Sequence, residues 1–208
     1  MTKHVLDTFR LDAKVALVTG GARGLGQTMA RALAEAGADI ALTGRSIGPA
    51  AEAASAIARA TGRRAKAFVV DVTVARDVDR LVSEVEVGLG PIDILVNNAG
   101  VNARGAIDKL SEADWDKVVD TNLKEPFLCA RACGPRMVRR GWGRVINMGS
   151  ILGSVALPGR APYAASKAGV FRNQARRPAS RQNRTISPAS GRGFICAAAL
   201  TLGTKVYR

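Results

Sequence analysis

Histidine is almost absent. His4 is the only one, so neither a histidine-based triad nor a multi-histidine metal site can be assembled within one chain. Cysteine is scarce too, and Cys129, Cys133 and Cys196 follow no metal or disulfide spacing. Cys129 and Cys133, four apart in a helical stretch, read as buried thiols of a reducing cytosol. Aromatic residues make up only 4% of the 208 residues, so the core must rest on Ala, Val, Leu and Ile, for which 47% hydrophobic content suffices. No run approaches the ~20 apolar residues that span a bilayer. The opening MTKHVLDTFRLD lacks the apolar segment of a secretory signal. These absences predict no metal, no membrane partner and a cytoplasmic location. Acid is missing from one stretch: residues 171–208 hold 8 Lys and Arg with no Asp or Glu, giving +8 of the net +14.

What is present alternates. KVALVTG (14–20), DIALTG (39–44), AKAFVVD (65–71), IDILVNNAG (92–100) and GRVINMGS (143–150) read as strands. Helical stretches separate them: 24–36 ending at Gly37, 49–61, 75–90, and Trp115 to Arg140 with a break. Ser111 and Asp114 resemble an acidic capping box before the last of these. A further helix should carry Tyr163 and Lys167. Strands without strict polar alternation, separated by helices, predict an α/β fold with a doubly wound parallel sheet covered on both faces.

Two motifs carry chemistry. Thr19-Gly20-Gly21-Ala22-Arg23-Gly24-Leu25-Gly26 follows a strand and opens a helix. Glycines let the backbone turn tightly and let a pyrophosphate approach free N–H groups at a helix N-terminus. The competing reading is a packing turn. Tyr163 and Lys167 form Y-x-x-x-K, and residues four apart share a helix face. The ammonium of Lys167 beside the Tyr163 ring would favour a tyrosinate, a base able to take a proton from an alcohol while a hydride leaves the carbon. Singly, each residue has a plainer reading: Asn97 and Asn98 as turn residues, Ser150 as a strand-end cap, Asp71 as the cap of the next helix.

T-G-x-x-x-G-x-G, N-N-A-G at 97–100, Asn122, Ser150 and Y-x-x-x-K, in this order, resemble the short-chain dehydrogenase/reductase family over residues 11 to about 170. RLDAKVALVTGGARGLG and the SKAGV context resemble most its gluconate 5-dehydrogenase-like and 3-oxoacyl-carrier-protein reductase-like members. The resemblance implies a Rossmann-like fold and hydride transfer between a nicotinamide cofactor and a small-molecule carbonyl or secondary alcohol. It implies a cofactor turn of Gly20, Gly24 and Gly26, with Arg23 and Leu25 between them. Asp71 and Val72 would meet the adenine, and Asn98, Ala99 and Gly100 would border the cofactor. Asn122 would bend its helix and hold a water in a proton relay. Ser150 would hydrogen-bond the substrate oxygen, Tyr163 would be the acid/base, and Lys167 would also hold the nicotinamide ribose. Relatives are often dimers or tetramers, so a homo-oligomer is expected.

A carboxylate at the end of the second strand would select NAD(H) through the ribose hydroxyls. The chain has Leu42-Thr43-Gly44-Arg45 there. Arg45, with Arg23, would instead pair a 2′-phosphate, so NADP(H) is expected and NAD(H) is the alternative. Beyond residue 170 the family pattern stops. FRNQARRPASRQNRTISPASGRG has little apolar periodicity and reads as a basic, disordered or frame-shifted tail. Ile186-Ser187-Pro188 is a faint counterpart of a sixth strand, and FICAAALTLG could supply a final one. The chain therefore divides into a catalytic core, 1–170, and an atypical tail, 171–208. Two other functions stand beside the oxidoreductase: a nucleotide binder impaired in catalysis, and a nucleic-acid binder acting through the tail.

Overall fold

The structure, a computed structural model, describes residues 4–172 and the strand residues 195–199. The predicted tail, including Ile186-Ser187-Pro188, otherwise lies outside the described residues. Six parallel strands form one sheet: β1 (Val15–Val18), β2 (Asp39–Gly44), β3 (Ala65–Val69), β4 (Ile92–Asn97), β5 (Arg144–Met148) and β6 (Ile195–Ala199). Their order is β3-β2-β1-β4-β5-β6. The chain winds outward from β1 to β3, then returns to the other side of β1 with β4. Crossovers that diverge from neighbouring strands leave a crevice above their carboxyl ends, where ligands of open α/β sheets bind. The candidate last strand within FICAAALTLG is β6, which pairs with the edge of β5.

Helices α1 (Gly24–Glu35) and α2 (Ile47–Thr61) cover one face; α3 (Ala75–Gly88) and α5 (Glu125–Arg140) cover the other. On α1 and α2 the buried positions are mostly small, with Ala30, Ala34, Ala53 and Ala54, joined by Ile57, packed on Ile40, Leu42 and Val96. On α3, Val78, Leu81, Val82 and Val85 follow the 3.6-residue period and meet Leu128, Cys129, Cys133 and Met137 of α5. The aliphatic core expected from the scarcity of aromatics is thus present, and both thiols are buried, which pushes their pKa values up.

Local signals set most boundaries. Ser111 and Asp114 form the reciprocal capping box at the start of α4 (Glu112–Val119). Helix α1 ends at Glu35, one residue earlier than expected, with Ala36 as its cap; Gly37 follows at φ +110°, where a side chain would be strained. The break expected between Trp115 and Arg140 is a single widened turn, a π-helix over Asp120–Lys124, so α4 runs into α5 without leaving helical conformation. Such turns mark functional sites more often than chance. Asp71 is not the cap of α3, because Val74 occupies that position. Helix α6 (Ala161–Arg172) carries Tyr163 and Lys167 as the spacing requires.

Candidate functional site

The crevice above β1 and β4 holds a cavity of about 780 Å³. Its walls gather every residue expected at the cofactor apart from Tyr163 and Lys167. Gly20, Arg23, Gly24, Leu25 and Gly26 form one side, Arg45, Asp71 and Val72 the second, and Asn98, Ala99 and Gly100 the third. The glycines fit this task by steric necessity. Gly20 and Gly24 have φ of +61° and +54°, and a side chain on Gly24 would stand in open space. A Cβ on Gly26 would come within 2.4 Å of the Gly20 carbonyl oxygen and 2.5 Å of Asn98 Nδ2. No side chain caps α1, and its first turn holds no acid, so its N–H groups face the cavity with a positive dipole end.

The turn is fastened to the strand ends. Gly20 N–H donates to Thr43 Oγ1 at 3.1 Å, and Asn98 Nδ2 donates to the carbonyls of Thr19 and Gly20 at 2.9 and 3.2 Å. Thr19 Oγ1 accepts from the backbone N–H groups of Asn98 and Ala99, both at 3.0 Å. Asn98 and Thr19 therefore lock β1 to β4 at the crevice floor. Asp71 is engaged locally: its Oδ1 accepts from the Thr73 hydroxyl at 2.7 Å and the Thr73 N–H at 2.9 Å. Those bonds, with Arg45 and Lys124 nearby, hold its carboxyl below the usual carboxylate range. Arg23 and Arg45 are exposed at the rim.

Asn122, Ser150, Tyr163 and Lys167 lie beside this cavity rather than in its walls, at the carboxyl ends of β4 and β5. Asn122 sits at the centre of the π-turn and is fully buried. Its Oδ1 accepts from Val101 N–H at 2.8 Å. Its Nδ2 donates to the Val101 carbonyl at 2.9 Å and to Ser166 Oγ at 3.1 Å. Ser166 in turn donates to the Tyr163 carbonyl at 2.8 Å. The Asn122 side chain is thus committed to fixing the loop after β4 and the backbone of α6. Its amide has no donor left for a relay water.

Lys167 is buried, with Nζ donating to the Met148 carbonyl at 2.6 Å and lying 5.7 Å from the centroid of the Tyr163 ring. Burial lowers its pKa, opposed by the carboxyl of Glu125. Ser150 starts a short 3₁₀ turn, Ile151–Gly153, and its Oγ accepts from Leu152 N–H at 3.2 Å. The strand-end cap and the substrate contact are compatible, since accepting that bond leaves the hydroxyl proton for another partner. Gly153 lets this turn lie against α6: a Cβ there would meet Phe171 at 2.4 Å and the Lys167 backbone at 2.9 Å.

Sequence reasoning missed Ser166, Thr19 and Glu125. Thr19 stands inside the glycine motif and could have been weighed for its hydroxyl. Ser166 and Glu125 carry no signal of their own, because their importance comes from what the fold packs against them.

The profile of the family described as short chain dehydrogenase matches residues 14–181. Gluconate 5-dehydrogenase of Gluconobacter oxydans is 40% identical over 164 residues, 79% of this chain and 64% of that protein. 3-Oxoacyl-[acyl-carrier-protein] reductase of Staphylococcus aureus is 40% identical over 158 residues, 76% of this chain and 64% of the reductase. The chain thus spans a little under two thirds of the length of these relatives. Among solved structures, a gluconate 5-dehydrogenase from Burkholderia cenocepacia in complex with NADP and tartrate superposes with a TM-score of 0.77 at 43% identity, over 81% of this chain and 66% of that one. A metagenomic short-chain oxidoreductase in complex with NADP gives 0.74 at 34% identity, over 78% and 73%. With the glycine turn at the switch point, the widened turn at Asn122 and the Tyr163–Lys167 face, these matches lead to one assignment: the chain belongs to the short-chain dehydrogenase family.

Proposed function

We propose that the protein is an NADP(H)-dependent oxidoreductase acting on a carbonyl or secondary alcohol, with Tyr163 as its acid/base. The observation that carries this reading is the placement of Lys167, a buried ammonium tied to the end of β5 and 5.7 Å from the Tyr163 ring centroid, beside a glycine-walled crevice. The crevice fits a dinucleotide on its own features: an uncapped helix N-terminus, a turn in which Gly26 admits no Cβ, and an open approach at Gly24. Arg45 directly follows β2, where an acid would favour NAD(H), and its guanidinium, with Arg23, suits a 2′-phosphate. The NADP held by two solved relatives supports the same choice.

NADP(H), when bound, supplies the hydride for reduction or takes it up in oxidation. The side chains manage the oxygen and its proton. Ser150 offers its hydroxyl proton to the substrate oxygen and stabilises the charge that develops there. Tyr163 donates its proton during reduction and accepts one during oxidation, a service worth ~10²–10⁴-fold. Lys167 stabilises the tyrosinate and orients the nicotinamide ribose. Asn122 acts by rigidity, pinning Val101 and, through Ser166, the Tyr163 backbone. A relay water there would be held by the main chain of the widened turn or by the remaining lone pair of Asn122 Oδ1.

The test is a fluorescence titration with NADPH and NADH, joined to a screen of ketones and secondary alcohols. Saturable binding that favours NADPH, with turnover of at least one carbonyl, is expected. Binding without turnover of any substrate favours the reading as a nucleotide binder impaired in catalysis, and absence of both overturns the proposal.

A further inference from the structure

Glu125, the first residue of α5, is fully buried, yet nothing in the redox mechanism uses it. Among the described residues, its Oε1 accepts from the thiol of Cys129, at 3.6 Å, and its Oε2 has no hydrogen-bond partner. The Thr19 hydroxyl is close enough to influence the carboxyl, without a full bond to Oε2. An ionised carboxylate so poorly solvated costs several kcal/mol, which a buried group avoids by taking up a proton.

The surroundings supply the reason for a proton at this spot. Val18 pairs with Val96 and Asn97 pairs with Asn147, so Thr19, Asn97 and Asn147 follow one another across the ends of β1, β4 and β5. Strand alternation puts them on the face covered by α5, because Leu17, Leu95 and Val145, two residues earlier in each strand, all belong to the core packed against α5. Asn97 Nδ2 donates to Asn147 Oδ1 at 2.7 Å, whereas Asn97 Oδ1 is buried with no partner among the described residues. Two buried acceptors without donors, Asn97 Oδ1 and Glu125 Oε2, thus occur in one layer. A proton on Glu125 turns an acceptor into a donor and removes the deficit at its own Oε2.

We propose that Glu125 is a positioning residue of the Tyr163–Lys167 pair: a carboxylic acid held neutral beneath the crevice, which leaves the charge of Lys167 undivided and weakens its hold on Tyr163 when it ionises. Among the described residues, the groups that act on Glu125 are Thr19 just after β1, Cys129 from its own helix and Lys167 from α6, and Lys167 is the one that acts through charge. Burial pushes the Glu125 carboxyl up to about 8, with Thr19, Cys129 and Lys167 opposing the rise. Above that pH the proton leaves to solvent, and the negative charge left behind acts electrostatically on Lys167. This charge stabilises the ammonium and disfavours a second anion on Tyr163. Alcohol oxidation, which needs the tyrosinate, is thereby delayed to higher pH.

This inference rests on the redox reading for its kinetic consequence but not for its titration. The experiment compares the full chain with Glu125→Gln, which preserves shape and removes the ionisation. Infrared difference spectra of the wild-type protein between pH 6 and pH 9 should show a buried protonated carboxyl band that titrates near 8 and is missing from Glu125→Gln. The ¹³Cε resonance of Lys167 should titrate at lower pH in Glu125→Gln than in wild type. In NADP⁺-dependent oxidation, the rising limb of the kcat/KM profile should move to lower pH in the variant by about half a unit or more, while the KM for NADP⁺ stays within about threefold. Absence of the band at pH 6, or a Lys167 midpoint unmoved by the substitution, overturns the proposal. A chain that turns over no alcohol sinks the redox reading alone, and the two spectroscopic titrations still decide for Glu125. If Glu125→Gln does not fold, a wild-type band that persists unchanged to pH 9 counts against the claim, and a band lost near 8 with a concurrent shift of the Lys167 resonance upholds it.

Discussion

At the scale of single residues, the site depends on where one proton and one positive charge reside. Tyr163→Phe removes the hydroxyl proposed to exchange the proton but leaves the ring, so turnover should fall by about 10²-fold or more while NADPH affinity changes little. Steady-state assays beside a binding titration check the split, and near-normal turnover would rule out Tyr163 as the acid/base. Glu125 gives a second expectation, on stability. Its carboxyl is raised from an ordinary 4.5 to about 8 by burial, so the folded state binds a proton that the unfolded state has released. Its contribution is fully present below about 4.5 and lost as pH rises to about 8, a change on the order of a few kcal/mol. Urea melts of wild type and Glu125→Gln should show the wild type losing stability across this window, and the variant lacking that part of the slope.

At the scale of elements, the turn between β1 and α1 is held by close approach, which makes its glycines individually testable. Gly26→Ala places a methyl against the Gly20 carbonyl oxygen and Asn98 Nδ2, at 2.4 and 2.5 Å. Overpacking of this kind costs about 1–3 kcal/mol, and here it displaces atoms that wall the crevice. The variant should show a lower thermal midpoint and NADPH affinity weakened by about tenfold or more; unchanged affinity would mean the turn does not cradle the nucleotide. Much of this level was legible from local pattern. The strand–glycine–helix unit, the Ser111–Asp114 box and the shared face of Tyr163 and Lys167 each depend on neighbours within a few residues. The break near Asn122 was legible only as a break. That it is a π-turn depends on the Asn122 side chain reaching Val101, 21 residues away. Still larger separations in sequence hid Ser166, 44 residues from Asn122, and the burial of Glu125.

At the scale of the molecule, the crevice joins segments far apart in the chain: the turn after β1, the ends of β2 and β3, and the loop after β4. A ligand that touches all of them binds the folded state alone and stabilises it by about 2.7 kcal/mol at a hundredfold excess over Kd. For a domain of this size that corresponds to a rise of about 5–10 °C in Tm. Thermal scans should show this rise with NADPH and a smaller one with NADH at the same concentration, given Arg45 at the end of β2. Equal shifts would remove Arg45 as the selector. Among the described residues, no helix is long and apolar enough to cross a membrane.

The sequence by itself determined which segments are strands and helices, where the glycine turn lies and which helix face carries Tyr163 and Lys167, because those properties follow from backbone geometry and side-chain spacing over a single turn or strand. Only the tertiary structure decided that β1 lies beside β4, that Thr19, Asn97 and Asn147 form one buried polar row, and that Glu125 is shut in beneath them. Burial and partnership belong to strand order and helix packing, and a carboxyl's proton is set by the water it has lost and the charges it faces, neither of which is written in the residues next to it.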